Sequence, residues 1–294
     1  MPPSTLHDRP SPKFTDASAS RMIAGCSSLP SLPAAYLRLL EAMNNPYSSA
    51  DDFARVIEHD PALTARVLRV VNSPLIRLST PIDTMTMAMS VLGVGHLHDL
   101  VLATSAIDVF NNVPADLIDM NSFWRHSLGT AVACRVIGVE SGHPDADKLF
   151  ITGLLHDIGR LVMCLAEPIL MRDLMQRASE TGDLLVDLER DVLGFDHADV
   201  GFELLAGWGL PGSLTEPVAC HHQPQRSRHY QREVAILHVA DITAHALFFG
   251  SSGERLIPPL SSFAWSLVEW DSSSSRTLSD VDIQFQVAQQ VVLR

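Results

Sequence analysis

The chain has 294 residues, with 21 Lys+Arg, 34 Asp+Glu and 13 His, so its net charge is 21 − 34 = −13 with His neutral. Hydrophobic residues at 46% and charged residues at 19% supply enough apolar surface for a core, which excludes disorder through most of the chain. The acidic balance argues against general binding to a phosphate backbone, so nucleic acid is not the expected partner.

The four cysteines, Cys26, Cys134, Cys164 and Cys220, are widely spaced with no CxxC pair. They read as reduced core thiols, not as a disulfide framework or a cysteine zinc site. Residues 1–21 are polar and carry Pro2, Pro3, Pro10 and Pro12, so they are expected to form a disordered leader without the apolar segment of a signal peptide. No stretch reaches about 18 uninterrupted apolar residues, so no membrane partner and a cytoplasmic location are expected.

Ser49 before Asp51 and Asp52 predicts a helix start ahead of Phe53, Val56 and Ile57. Asp60-Pro61 predicts another, with Leu63, Val67 and Val70 on one face and an end at Asn72-Ser73-Pro74. Met85, Met89 and Leu92 continue the pattern to Gly93, and a further helix is predicted from about Gly95 to Phe110. Met85, Met87 and Met89 read as core filler. Residues 22–112 are thus expected to form an N-terminal helical lobe.

A second region begins near Met120, with a helix carrying Phe123, Trp124 and His126 through to Ile137. The next is predicted from about Asp147 across Phe150, Leu154, Ile158 and Leu161. Gly182-Asp183 should end one helix and cap the next, and Gly194 with Asp196 should repeat the device. Gly201 and Gly207 are expected to allow close helix packing, and Leu210-Pro211-Gly212 reads as a turn. A late helix carries Val234, Leu237, Asp241 and Ala244. Residues 251–294 read as a loosely ordered C-terminal extension containing Ser272 to Ser275, with a last helix or strand from Val281 to Leu293. No hairpin or βαβ signal intervenes, so the expected class is all-α in two helical lobes.

The chemistry concentrates in histidines and aspartates set within apolar helical patterns. His156-Asp157 sits in LLHDIGR, where Leu154, Leu155, Ile158 and Leu161 surround it with low-dielectric packing. A buried ionised Asp needs a cation, several donors or a metal. His126, His197, His221, His222 and Asp241 supply further imidazole and carboxylate donors. Such donors suit Fe, Mn, Zn or Mg, and a bridging Asp can serve two ions. Two ions about 3.5–4 Å apart polarise a phosphate and generate hydroxide between them.

The order His126, His156-Asp157, His197, His221-His222, Asp241 resembles the HD superfamily of metal-dependent phosphohydrolases. More closely, the phrases IEHDPALTARVLRVVNSP, FWRHS, GLLHDIGRLV, LERDVLGFDHADVGFELLAGWGLP, HHQP and LHVADITA resemble the HDOD family, the HD-related output domain of bacterial signalling. Together they cover about residues 25–250. The resemblance implies a two-lobed helical fold with residues 113–250 as an HD-type bundle. It implies a regulatory module that binds signalling proteins, with room for a nucleotide ligand between its lobes. The alternative it carries is a metal-dependent phosphohydrolase acting on a cyclic nucleotide or dinucleotide. The ligand order is also similar to HD-GYP phosphodiesterases, but the GYP phrase is missing, and Ser122 stands where some of them place a Glu.

By that resemblance His156, Asp157 and Asp241 hold the first ion, and Asp157 bridges to the second. His126 completes either site beside His197, His221 and His222. Asp157 and Arg160 are the expected catalytic pair. Arg160, one turn beyond the HD pair, clamps a phosphate in one reading and pairs with a nearby acid in the other. His238 and His245 share a helix face with Asp241; they read as packed or surface residues, with support of the metal ligands as the alternative. His96 and His98 read as surface residues of the N-terminal lobe.

Overall fold

The computed structural model describes residues 17–26, 34–45, 47–72, 80–110, 112–269 and 275–292. Among them every regular element is helical. The first five helices are α1 (Ala17–Gly25), α2 (Ala34–Asn44), α3 (Ala50–Glu58), α4 (Pro61–Val71) and α5 (Met85–Val109). The next five are α6 (Met120–Glu140), α7 (Ala146–Leu155), α8 (Ile158–Ala166), α9 (Pro168–Thr181) and α10 (Leu185–Leu193). The last five are α11 (His197–Gly207), α12 (Gly212–Cys220), α13 (Gln231–Ala246), α14 (Ser262–Val268) and α15 (Ser275–Val292).

Local chemistry starts the N-terminal helices where the spacing predicts. Ser49 and Asp52 form a reciprocal capping box on α3. The Asp60 side chain accepts the N–H groups of Ala62 and Leu63 at 3.1 and 3.0 Å, with Pro61 as the first residue of α4. Helix α5 leaves helical geometry at Gly93 (φ 79°), which divides it where the two predicted segments meet. Met85 and Met89 are buried. Both α3 and α4 pack on α5. His98 is not on the surface as expected: it is buried, and its Nε2 lies 2.7 Å from the Tyr36 hydroxyl on α2. His96 is exposed and donates from Nδ1 to the Leu92 carbonyl.

The bundle is centred on α6, which α7, α13 and α15 cover, while α8 and α12 flank α11. The single helix predicted across 147–161 is two helices, because the chain breaks at His156-Asp157 between α7 and α8. Gly182 and Gly194 end α9 and α10 in the left-handed region (φ 73° and 83°), which costs glycine little. Asp196 caps α11 through Ala198 and Asp199. Asp183 does not cap α10. The buried N–H of Leu185 instead donates to Glu254 Oε2 at 2.7 Å. The Gly159–Gly201 approach brings α8 against α11: a Cβ on Gly159 would lie 2.0 Å from the His197 carbonyl oxygen and 2.4 Å from Gly201 N. Gly207 has no comparable role, since a Cβ there meets nothing within 4 Å.

Both chain ends are better ordered than their composition suggests. Residues 17–21, expected in the leader, belong to α1, where Ala19 is buried and the helix rests on α8 and α11. Met22 and Ile23 supply the apolar contact that anchors it. Residues beyond 250 are not a loose tail. Ser252 and Glu254 are buried, α14 packs on α13, and α15 joins α6 of the bundle to α4 of the N-terminal lobe. The last segment is therefore helix, not strand. Most of the leader, the Ser73-Pro74 stop and Ser272 to Ser274 lie outside the described residues. Residues 146–166 are apolar enough to cross a membrane by length and composition, but they are mostly buried as α7 and α8.

Candidate metal centre

Five structural elements converge on one buried point. His126 comes from the second turn of α6, and His156 and Asp157 come from the α7–α8 break. His197 opens α11, His221 and His222 follow α12, and Asp241 lies mid-way along α13. His126, His156, His197 and His221 are wholly buried, Asp157 and Asp241 nearly so, and His222 half-buried. All seven donors named from sequence are thus in one cluster.

Asp157 stands between two donor sets. Its Oδ1 lies 3.0 Å from His197 Nε2 and 3.6 Å from His221 Nε2. Its Oδ2 lies 3.2 Å from His156 Nε2 and 3.7 Å from His126 Nε2. Asp241 Oδ1 closes the second set, 3.1 Å from His126 Nε2 and 3.5 Å from His156 Nε2. His222 joins the first, with Nε2 2.9 Å from that of His197. His126 therefore falls with His156 and Asp241, away from His197, His221 and His222.

The donor set fits divalent ions on three observations. Donors bound at about 2.0–2.2 Å to a common ion sit about 3.0–3.5 Å from one another, close to these separations. His156 Nδ1 donates to the Gly153 carbonyl at 2.8 Å and His221 Nδ1 to the Val218 carbonyl at 2.7 Å. That leaves each Nε2 lone pair aimed inward, the way outer hydrogen bonds orient metal-binding imidazoles. Finally, His126 Nε2, His156 Nε2, His221 Nε2, Asp157 Oδ1 and Asp241 Oδ1 are buried with no hydrogen-bond partner. Unpaired buried polar atoms cost about 1–3 kcal/mol each, so five together call for a cation.

The electrostatics agree. Burial alone would lower the His156 pKa, but Asp157 and Asp241 beside it outweigh burial and hold it up at about 10. Burial would likewise raise the two carboxyls; their histidine neighbours instead keep both well below the usual range. The pKa of His222 is driven down, first by burial and then by the positive charge of His221 and His197.

Arg160 is 1% exposed and makes an acid pair. Its Nε donates to Glu189 Oε1 at 3.2 Å and its Nη1 to Ser252 Oγ at 3.0 Å. Glu189, on α10, was not legible as a site residue. Its Oε2 accepts the His197 backbone N–H at 3.0 Å and lies 2.6 Å from Nδ1 of the same ring. Only its place in the phrase LERDVLG, eight residues before His197, marked it in sequence. His238, read as packed, is buried and donates from Nδ1 to the His221 carbonyl at 2.7 Å. His245, read the same way, is buried with Nε2 3.5 Å from Asp241 Oδ1.

A segment from Phe248 to Leu256 lies over this region. Ser251 N donates to the Ser122 carbonyl and hydroxyl, and Gly250 presses so closely on α6 that a Cβ would sit 2.2 Å from the Ser122 carbonyl oxygen. Two cavities among the described residues are lined by other side chains. One of about 610 Å³ is lined by Asp116, Arg172, Met175 and Arg255 among others. One of about 260 Å³ lies around His143, Lys148 and Tyr230.

Known proteins resemble this chain in sequence and fold. A curated relative from Treponema pallidum (strain Nichols), itself uncharacterised, is 24% identical over 238 residues; the match takes in 80% of this chain, which spans only 46% of that protein's length. An HDOD-domain protein of unknown function from Geobacter sulfurreducens superposes with a TM-score of 0.76 at 22% identity, covering 94% of this chain and 97% of that one. A candidate signal transduction protein from Marinobacter aquaeolei VT8 gives 0.67 at 18% identity, covering 96% and 66%. A candidate metal-dependent phosphohydrolase from Shewanella amazonensis SB2B gives 0.58 at 20%, covering 92% and 99%. At these identities the structural likenesses establish the all-α fold. Residues 29–224, well over half of the chain, match the HDOD domain family, and with that match the chain belongs to the HDOD family.

Proposed function

We propose that this chain is a signalling module that binds a partner protein, built around a retained pair of divalent ions that brace the bundle. The observation that carries this reading is the burial of the donors: six of the seven are closed off from solvent. Imidazoles and carboxylates from five elements, joined through ions, would cross-link the helices that carry them. His156, Asp157, Asp241 and His126 would hold one ion, and Asp157, His197, His221 and His222 the other. Fe, Mn, Zn and Mg all accept such donors. The surface charge of −13 favours a protein or small-molecule partner, including a nucleotide, over nucleic acid. Cys134, Cys164 and Cys220 are buried and form no disulfide among the described residues, in keeping with a cytoplasmic setting.

Elemental analysis of protein purified without chelator or affinity metal tests this. About two ions per chain, lost in Asp157→Ala, are expected. Chelation should lower the melting temperature by several degrees, since ligand bound to the native state stabilises it by mass action. A chain that takes up no iron, manganese or zinc under anaerobic loading would refute the reading.

The placement of Asp157 between two donor sets favours a second reading, a metal-dependent phosphohydrolase. Bound ions there would supply Lewis-acid polarisation of a phosphate. Asp157 would orient both, and the 248–256 segment would have to move to admit substrate. Hydrolysis of a cyclic dinucleotide by the loaded protein, abolished in a folded His156→Ala variant, would select this reading over the first.

A further inference from the structure

We infer that His245 is an additional protein donor to the ion held by His126, His156, Asp157 and Asp241, and that it fills a coordination position a phosphate would need. The inference rests on the metal-binding reading above and sharpens it.

His245 lies four residues after Asp241 on α13, so the two side chains share a face. Its Nε2 stands 3.5 Å from Asp241 Oδ1, and its ring centroid stands 4.4 Å from that of His126. His126, Asp241 and His245 can each offer one donor atom to a common point. The contact does not read as a simple hydrogen bond between neighbours. At 3.5 Å it is beyond the usual range for N–H···O, and Asp241 Oδ1 remains without a hydrogen-bond partner although buried. The same separation is ordinary for two ligands of one ion. The Asp241 oxygen is thus ringed by three imidazole nitrogens, His126 at 3.1 Å and His156 and His245 at 3.5 Å each.

The consequence follows from counting donors. Four protein ligands leave an octahedral ion two positions, enough for a water and a phosphate oxygen. A fifth from His245 leaves one, in a site already closed to solvent. The second donor set, with half-buried His222 at its edge, has no such extra ligand. The two ions should therefore differ: the one beside His245 keeps a single position, which a water fills, and the other is more exchangeable.

The test uses the full-length protein loaded with Co(II), whose visible spectrum reports its ligands, with metal content measured in parallel. In wild type, inorganic phosphate is expected to leave the spectrum of the tighter site unchanged. In His245→Ala, that site should lose at least about tenfold in affinity and its spectrum should respond to added phosphate. His245→Gln, which preserves volume, should behave as His245→Ala and guards against misfolding of the smaller variant; both are checked by far-ultraviolet circular dichroism. If wild type binds two ions while either folded variant keeps both at unchanged affinity and stays silent to phosphate, the inference fails and the metal-binding reading stands. If wild type binds none, both fail together.

Discussion

Asp157 owes its reach to the two residues that open α8. The helix break turns its carboxylate so that Oδ1 and Oδ2 face different imidazoles. Gly159 then allows the His197 backbone to pass within a distance that any side chain would block. Behind His197 stands Glu189, which meets both its ring and its backbone N–H and is itself neutralised by Arg160. Burial would raise the Glu189 pKa, but His197 and Arg160 keep it below the ordinary value, so the group is an anion that fixes the imidazole. Glu189→Gln should leave the fold intact and weaken the ion held by His197 by about 10–100-fold, read by competitive chelator titration. An unchanged affinity would mean that Glu189 only fills space.

The segment between α12 and α13 shows how a single side chain can hold a connection that carries two donors. Glu216 accepts from the Ser227 hydroxyl at 2.8 Å and from the N–H groups of Arg228 and His229 at 2.7 and 2.8 Å. Burial pushes its pKa up, but these donors outweigh burial and bring it down from 4.5 to about 2. A carboxylate with a depressed native pKa contributes stability that is complete above the unfolded value and lost as pH falls through the folded one. Glu216→Gln should therefore melt lower than wild type at neutral pH. The difference should shrink as pH falls from about 4.5 toward about 2. A gap that stayed constant with pH in thermal melts would show that charge is not what Glu216 contributes.

Across the molecule, the chain ends tie the two lobes together. Helix α1 rests on α8 and α11 of the bundle, while α15 reaches from α6 to α4. Phe285 of α15 is fully buried and stacks on Phe249, with ring centroids 3.8 Å apart. Phe249 in turn packs against Gly129 of α6 and leads into Ser252 and Glu254, which hold Arg160 and the start of α10. The C-terminal helix thus clamps the segment that closes the metal centre. Phe285→Ala should cost about 3–5 kcal/mol by denaturant unfolding and also expose the centre to faster metal loss to chelator. A loss below about 1 kcal/mol would show α15 to be a detachable appendage.

Helix periodicity, the caps at Ser49, Asp60 and Asp196, and the glycine stops at Gly182 and Gly194 were legible because they depend on residues within one turn of each other. The seven donors were legible for a related reason: imidazole and carboxylate are scarce inside apolar helical patterns, so each stands out where it occurs. What could not be read was everything that depends on distant segments meeting. The break at His156-Asp157 exists because the pair must face donors from four other elements. Arg160 became a buried anchor because Glu189 and Ser252, 29 and 92 residues away, arrive beside it. His245 passed for an ordinary packed histidine until α6 brought His126 against it. Ser252, Glu254 and α15 looked loose by composition, yet their order comes from contacts with α4, α6 and α10, which no local pattern encodes.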